Sequence, residues 1–171
     1  MAKQVQTVAR LDAIAQLKAD HSKVRDILLD IIVAAGRRDA AKALELLLKL
    51  DKLGGPHFQW EEESFYPTLE RFYGPEYKEY LLGVHDRIVR AARKMAEILG
   101  KGELTEEDSN KVVALVRSEI LPHPIECEGL TLFSERLTSK ELEAMGKHFE
   151  AVRKTGLPLL EWAQTVRARK A

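Results

Sequence analysis

Residues 47–65 are LLKLDKLGGPHFQWEEESF, and this stretch decides the fold. Its apolar side chains recur every three or four residues, which is the period of an α-helix with one buried face. His57 and Glu61 stand on that same face, four residues apart. Because residues at i and i+4 are neighbours on a helix, both polar side chains are expected to point into the interior. The stretch therefore predicts an amphipathic helix that carries polar groups into a core.

Three further segments have the same period, and each carries one histidine on its apolar face, namely His21, His85 and His123. Gly36, Gly74 and Gly100 follow the ends of the first three helical segments, and a capping box at Thr105–Asp108 predicts the start of the fourth helix. Alternating β-branched runs are absent. Because the connections are short, neighbouring helices are expected to be antiparallel. The predicted fold class is all-α, an antiparallel up-down four-helix bundle with an additional C-terminal helix.

We expect an N-terminal extension over residues 1–10, the bundle over residues 11–137 and a C-terminal helix over residues 138–171, packed on the bundle. Two sites are expected to disturb the helices. Residues 54–56, Gly-Gly-Pro, should kink or split the second helix just before His57. Pro124 should disturb the fourth helix just after His123.

The composition excludes several classes of protein. Of 171 residues 45% are hydrophobic and 32% charged, with 27 basic and 27 acidic residues. The zero net charge gives no electrostatic reason to expect a nucleic acid or an anionic membrane as partner. No apolar run is long enough to span a bilayer, and the N-terminus lacks the apolar core of a signal peptide. The single cysteine, Cys127, suits the cytoplasm, which is the expected location.

The four histidines on the apolar faces are expected to meet at one level of the bundle. Counted from the predicted loops, their offsets along the axis are roughly 3 to 9 Å at about 1.5 Å per residue. A single histidine on such a face is usually a core residue with a hydrogen-bond partner. Four imidazoles in one narrow core are better satisfied together by a metal ion, and iron, manganese and zinc all suit imidazole and carboxylate ligands.

The fourth helix offers two candidates for a further ligand. Cys127 stands four residues after His123, and Glu128 stands five residues after it. In a regular helix position i+5 points away from position i, but a π-type turn permitted by Pro124 would bring Glu128 to the same face. Glu128 is therefore the favoured ligand. Cys127 is the alternative, either as a thiolate ligand or as a small buried residue beside the site.

The sequence resembles the haemerythrin HHE cation-binding family over about residues 11–137. The resembling segments are 17–21 (LKADH), 57–67 (HFQWEEESFYP), 84–88 (VHDRI) and 123–128 (HPIECE). This resemblance implies a four-helix bundle that holds two iron ions with a bridging oxo or hydroxo group, manganese or zinc being possible substitutes. It implies the following ligands: His21, His57, Glu61, His85, His123 and Glu128.

The third helix departs from oxygen-carrying haemerythrins, which have a second histidine four residues from the first. Here Leu81 and Val89 occupy those positions, so about two coordination positions are expected to stay open. Glu62 is a possible filler of one of them, although a solvated helix face is the expected role of Glu62 and Glu63. His148 is expected at the surface.

The resemblance implies that a small diatomic ligand, O2 or NO, binds at the metal, in a sensor or binding role. The alternatives are a non-haem di-iron peroxidase or catalase-like oxidoreductase acting on peroxide, and a metal-storing or structural bundle. Whether the protein is an enzyme stays open from the sequence, and a homodimer is possible. Four tyrosines are expected to pack in the core or an interface rather than to serve as redox-active phenols, namely Tyr66, Tyr73, Tyr77 and Tyr80. Trp162, with Leu159 and Leu160, is expected to dock either the last helix or a second subunit.

Overall fold

A computed structural model describes residues 12–166, and these residues form α-helices joined by short turns, with no strand among them. The all-α prediction is confirmed. The predicted N-terminal extension, residues 1–10, and the basic tail that contains Arg167, Arg169 and Lys170 lie outside the described residues. The α-helices are α1 (Ala13–Gly36), α2 (Ala40–Trp60), α3 (Tyr66–Tyr73), α4 (Pro75–Leu99), α5 (Glu106–Leu115), α6 (Pro122–Leu130), α7 (Ser139–Thr155) and α8 (Leu159–Val166).

Four helices enclose the main core. Helix α1 packs against α2 and α5, and α4 packs against the same two helices from the other side. Their apolar faces meet in a cluster that includes Leu28, Ile31, Ile88, Met95 and Val112, each almost fully buried. Burial of such a side chain stabilises the fold by about 1.5–3 kcal/mol relative to exposure. The predicted apolar faces therefore do form the interior of the molecule.

Side-chain caps fix where the helices begin. The Asp12 carboxylate accepts hydrogen bonds from the backbone N–H groups of Ile14 and Ala15 at the start of α1. The capping box predicted at Thr105 and Asp108 is present at the start of α5 and is confirmed. Such caps satisfy N–H groups that have no partner within the helix and contribute about 1 kcal/mol each.

Two single π-turns interrupt the α-helical pattern, at Glu61–Phe65 and at Val116–Ile120. The π-type turn predicted over residues 124–128 is wrong, because α6 is α-helical throughout Pro122–Leu130. Pro124 lies in the first turn of α6, where backbone N–H groups lack helical partners and the missing donor costs little. The widened turn that would have swung Glu128 inward is therefore absent.

Of the kink or split expected in α2 at residues 54–56, the split is wrong, since the helix continues from Ala40 to Trp60 with Pro56 inside it. The glycines instead permit a close approach of the C-terminal segment. A Cβ atom on Gly55 would lie 1.8 Å from the backbone oxygen of Leu157, and one on Gly54 would lie 3.2 Å from Cδ2 of Leu159. Small residues at this point of α2 let the chain that leads into α8 pack directly on the helix backbone.

Two helices follow the bundle, where a single additional helix was expected. Helix α7 ends at Thr155, and Pro158 prevents its continuation because proline disfavours a helical conformation of the preceding residue. Helix α7 packs on α1 and α2, and α8 packs on α2 and α4. Trp162 of α8 is buried in the main core, and the indole of Trp60 donates to the backbone oxygen of Met145 in α7, 2.9 Å away. Among the described helices, none is long and apolar enough to cross a membrane.

Candidate metal centre

The four predicted histidines converge on one carboxylate. His21 comes from α1, His57 from α2, His85 from α4 and His123 from α6, and each is at most 6% exposed. Glu61, at the first residue of the π-turn that follows α2, is fully buried among them. Polar residues on the apolar faces of four helices thus meet at one level of the bundle, as their period predicts.

Each oxygen of the Glu61 carboxylate faces two imidazole Nε2 atoms. Oε1 lies 3.6 Å from Nε2 of His21 and 3.4 Å from Nε2 of His57. Oε2 lies 3.1 Å from Nε2 of His85 and 3.5 Å from Nε2 of His123. Donor atoms that share one metal ion at bond lengths near 2.1 Å are separated by about 3.0–3.5 Å. The histidines therefore form a first pair, His21 and His57, and a second pair, His85 and His123.

Several of these ring nitrogens have no hydrogen-bond partner among the described residues. Both nitrogens of His21 and of His57, and Nε2 of His123, are buried without one. A buried polar atom left unpaired costs about 1–3 kcal/mol. Metal coordination would satisfy the Nε2 atoms together, and imidazole with carboxylate is a donor set that suits first-row metals. The residues present are therefore compatible with a metal centre.

Glu61 and the four histidines around it form one cluster, and the charges of these five side chains are coupled. Burial raises the pKa of Glu61, but charged His57 and the close approach of the other imidazoles outweigh burial and hold that pKa well below its usual value. Burial lowers the pKa of His57, but nearby Glu61 and Asp20 raise it to about 9. For His123 burial dominates and lowers the pKa to about 4. The metal-free cluster thus keeps Glu61 ionised, balanced mainly by His57.

Two further carboxylates contact the outer nitrogens of the histidines. Asp20 Oδ2 lies 3.6 Å from Nδ1 of His57 and also accepts a hydrogen bond from Arg153 of α7. Glu62 Oε1 lies 2.9 Å from Nδ1 of His85. A carboxylate on the outer nitrogen orients the ring of a metal-binding histidine and raises its basicity. Sequence reasoning missed this role of Asp20, although the residue stands next to His21 and is fully buried.

The solvated role expected of Glu62 is wrong, because its side chain is only 11% exposed and contacts His85. Glu63 does lie at the surface, where its carboxylate is 2.9 Å from Nε2 of His148. His148, expected at the surface, is 31% exposed and also contacts the hydroxyl of Ser64. The three residues that follow Glu61 therefore face different surroundings.

Helix α6, the last part of the predicted fourth helix, brings Cys127, and not Glu128, to the cluster. Cys127 is 2% exposed, and its thiol donates to Oε1 of Glu61 at 2.8 Å. The donor atoms of His21, Glu61, His123 and Cys127 lie within 4.8 Å of one another. The Glu128 side chain is 48% exposed, and its carboxylate lies 4.0 Å from Nδ1 of His21. Because α6 is regular, position i+4 after His123 points inward and position i+5 does not.

Tyr66 is a residue of the cluster that sequence reasoning placed in ordinary packing. It is fully buried, and its hydroxyl lies 2.8 Å from Nε2 of His85 and 3.4 Å from Oε2 of Glu61. Tyr66 stands five residues after Glu61, and the π-turn between them places both on one face, with the Tyr66 N–H bonded to the Glu61 carbonyl. A regular helix would rotate Tyr66 about 140° away from Glu61.

An apolar cavity of about 60 Å³ adjoins three of the histidines, His21, His57 and His123. Its other walls include Ile88 and Ala92 of α4, and Leu159 and Leu160 of α8. Apolar cavities of this kind stay free of water and accept small apolar molecules.

A second, more polar pocket of about 470 Å³ opens on the other side of His21. Lys18, Arg25 and Glu128 contribute its charged groups. The cluster is thus approached by one apolar space and one polar space.

Comparison with known protein families matches residues 12–123 to the Hemerythrin HHE cation binding domain. No curated protein and no solved structure matches the chain. The match includes α1, α2 and α4 and ends at His123, the second residue of α6, so Cys127, α7 and α8 lie beyond it. The four buried histidines around Glu61 and the family match agree, and the chain belongs to the haemerythrin HHE cation-binding family.

Proposed function

We propose that this protein holds two metal ions, one at each pair of histidines, with Glu61 bridging them. The observation that carries this proposal is that each Glu61 oxygen faces two Nε2 atoms at 3.1–3.6 Å. The ring centroids are 4.8 Å apart within the first pair and 4.9 Å apart within the second pair. Between the pairs, the His123 ring lies 6.0 Å from the His21 ring and 6.4 Å from the His57 ring. The shorter separations within the pairs support the proposal. We also propose that the helices of the bundle are arranged in antiparallel up-down order and that the protein is cytoplasmic.

For the fourth helix we favour Cys127 over Glu128 as the additional donor. The support is the burial of the thiol and its 2.8 Å contact with Glu61, against the half-exposed carboxylate of Glu128. The thiol lies close to His21 and His123 and contacts Oε1, the Glu61 oxygen that faces the first pair. A thiolate there would give the first pair an anionic donor. The glutamate then serves as a polar group at the mouth of the second pocket.

The metal is proposed to be iron, and the ligand a diatomic molecule, O2 or NO. A ferrous pair bound by these histidines and Glu61 would supply open coordination positions and reducing electrons to such a ligand. The chain itself supplies an apolar approach, because the cavity beside His21, His57 and His123 is lined mainly by aliphatic side chains. Its volume of about 60 Å³ admits a molecule of a few atoms and excludes a larger organic substrate. The geometry therefore favours a binding or sensing role for a small apolar gas.

The test fills the cavity without touching a ligand. In Ala92→Leu the added carbons would occupy the cavity, and the protein loaded with ferrous iron should bind NO at least several-fold more slowly than the wild type in stopped-flow measurements without oxygen. Ala114→Leu, at an exposed position of α5, is the matched control and should bind at the wild-type rate. An unchanged rate in Ala92→Leu with unchanged iron content would contradict the assigned route. Absence of any NO adduct in wild-type protein that holds iron would contradict the proposed ligand.

Peroxide turnover is a second candidate function, favoured by the polar pocket beside His21. Peroxide is polar and water-borne, and a pocket lined by Lys18, Arg25 and Glu128 suits it better than the apolar cavity does. Peroxide consumption by the iron-loaded protein that falls on filling this pocket with Ser22→Phe, while NO binding persists, would support this function.

A further inference from the structure

We propose that the phenol oxygen of Tyr66 is itself a metal ligand, on the side of the second pair, His85 and His123. This inference rests on the proposed metal centre and adds a ligand to it. The Tyr66 oxygen lies 2.8 Å from His85 Nε2 and 3.4 Å from Glu61 Oε2, close to the separations of about 3.0–3.5 Å between donors that share one ion. Tyrosine is a competent ligand of iron in proteins.

The hydrogen bonds of His85 show why Tyr66 is left with this role. The outer nitrogen of His85, Nδ1, lies 2.9 Å from the Glu62 carboxylate and therefore carries the ring proton. Nε2 then has a lone pair that accepts the Tyr66 hydroxyl in the metal-free protein, or binds a metal ion, but does not do both. Once the lone pair is given to a metal, the buried phenol retains, among residues 12–166, only Glu61 at 3.4 Å and Cys127 Sγ at 3.9 Å. Coordination satisfies the phenol oxygen at the same moment.

The π-turn at Glu61–Phe65 is the local structure that makes this arrangement possible. Single π-turns inside helices are rare and occur frequently at functional sites. This one carries the bridging carboxylate at its first residue and delivers Tyr66 directly after its last. Without the inserted residue, Glu61 and Tyr66 would point to different sides of the helix.

Tyr66 also compensates for the ligand missing from the third predicted helix. Leu81 and Val89, four residues on either side of His85, are buried apolar residues and offer no donor. A donor from the segment after α2 occupies a position that would otherwise be open on this side. The first pair adjoins the apolar cavity through both of its histidines, His21 and His57, whereas the second pair adjoins it through His123 alone.

Coordination by Tyr66 has a defined chemical consequence. The phenol O–H bond breaks as the metal–oxygen bond forms, and one proton is released to the buffer for each Tyr66 bound. The added negative charge favours the more highly charged, ferric ion over the ferrous ion. The variant Tyr66→Phe removes the oxygen and keeps the aromatic ring, so it separates the loss of a ligand from a loss of packing.

The experiment measures metal–phenolate bonding directly. Wild-type protein, Tyr66→Phe and the control Tyr77→Phe are loaded with iron, oxidised in air and analysed for iron content, visible absorption and resonance Raman scattering. Tyr77 is a partly buried residue that packs on Tyr73 and Tyr80. We expect a tyrosinate-to-iron charge-transfer band with phenolate vibrations in the wild type and in Tyr77→Phe, and neither signal in Tyr66→Phe, whose iron should also have a more positive reduction potential.

The outcomes separate this inference from the proposed function. Wild-type protein that holds two iron ions but gives no phenolate vibrations overturns the role of Tyr66 and leaves the metal centre standing. Wild-type protein that holds no metal overturns both. If Tyr66→Phe does not fold, the wild-type spectrum still decides. A second measurement adds Zn²⁺ to the wild-type protein and records the near-ultraviolet absorption of ionised tyrosine. Appearance of this absorption supports coordination by Tyr66, and its absence with Zn²⁺ bound refutes coordination.

Discussion

The substitution Asp20→Asn tests the carboxylate that contacts a metal-binding histidine from behind, and it leaves every proposed ligand in place. Asp20 is fully buried in α1, with Oδ2 3.6 Å from Nδ1 of His57 and in contact with Arg153. Burial raises the pKa of Asp20, but the contacts with His57 and Arg153 outweigh burial and lower that pKa, so the group is an anion. Asparagine has nearly the same shape but no charge, so the variant removes the charge that orients and polarises His57.

Loss of an outer carboxylate typically weakens metal binding by roughly 10- to 100-fold, or about 1.4–2.7 kcal/mol. The smaller loss of affinity applies if the asparagine oxygen still faces Nδ1 of His57. The larger loss applies if the asparagine NH2 group turns toward that nitrogen. The effect should be confined to the ion of the first pair, because His85 has its own carboxylate, Glu62. Arg153 is 33% exposed, so its lost partner can be replaced by water at a cost below about 1 kcal/mol.

The assay is a competitive titration of metal-free protein with Zn²⁺ against a chromophoric chelator, with circular dichroism as a check of folding. Asp26→Asn, on the same helix, is the matched control, because Asp26 is 63% exposed and pairs with Arg25. We expect one weakened site in Asp20→Asn and two unchanged sites in Asp26→Asn. Wild-type affinity in Asp20→Asn would refute the orienting role of Asp20, and an equal loss in both variants would indicate a general charge effect.

Two further predictions concern the fourth helix and the C-terminal segment. Cys127→Ser should weaken the ion of the first pair by at least about tenfold, whereas Glu128→Ala should leave both affinities within about twofold, measured by the same titration; the reverse result would show that the carboxylate coordinates. Gly55→Ala should lower the free energy of unfolding in urea by about 3 kcal/mol, because its Cβ would lie 1.8 Å from the Leu157 oxygen. The control Gly83→Ala, whose Cβ meets no atom within 4 Å, should raise the free energy of unfolding by about 0.5–1 kcal/mol. Similar values for both variants would refute the close packing of the C-terminal segment on α2.

The predictable part of this protein is the part governed by regular helical periodicity. The period of three and four residues places His21, His57, His85 and His123 on buried faces, and the i, i+4 relation adds Glu61. These are averages over several turns of helix and tolerate local irregularity. The convergence of the five side chains therefore follows from the sequence.

The rest depends on single-residue changes of register, which the periodicity does not encode. One inserted residue in a π-turn turns Tyr66 inward, and the absence of such a turn in α6 turns Cys127 inward in place of Glu128. A proline inside an apparent helix was expected to distort it, but Pro124 falls in a first turn, where it is tolerated. The roles of Asp20 and Arg153 depend on the docking of α7, a long-range contact with no local signal.

The number of ions bound at the Glu61 cluster is the quantity on which the proposed function depends most directly. It is obtained by titrating metal-free protein with Fe²⁺ in the absence of oxygen and analysing the iron that remains after gel filtration. Because each Glu61 oxygen faces its own pair of imidazoles, we expect two iron ions per chain, and a Glu61→Ala variant that loses both. One ion per chain, or none, in the wild type would contradict the two-ion centre bridged by Glu61.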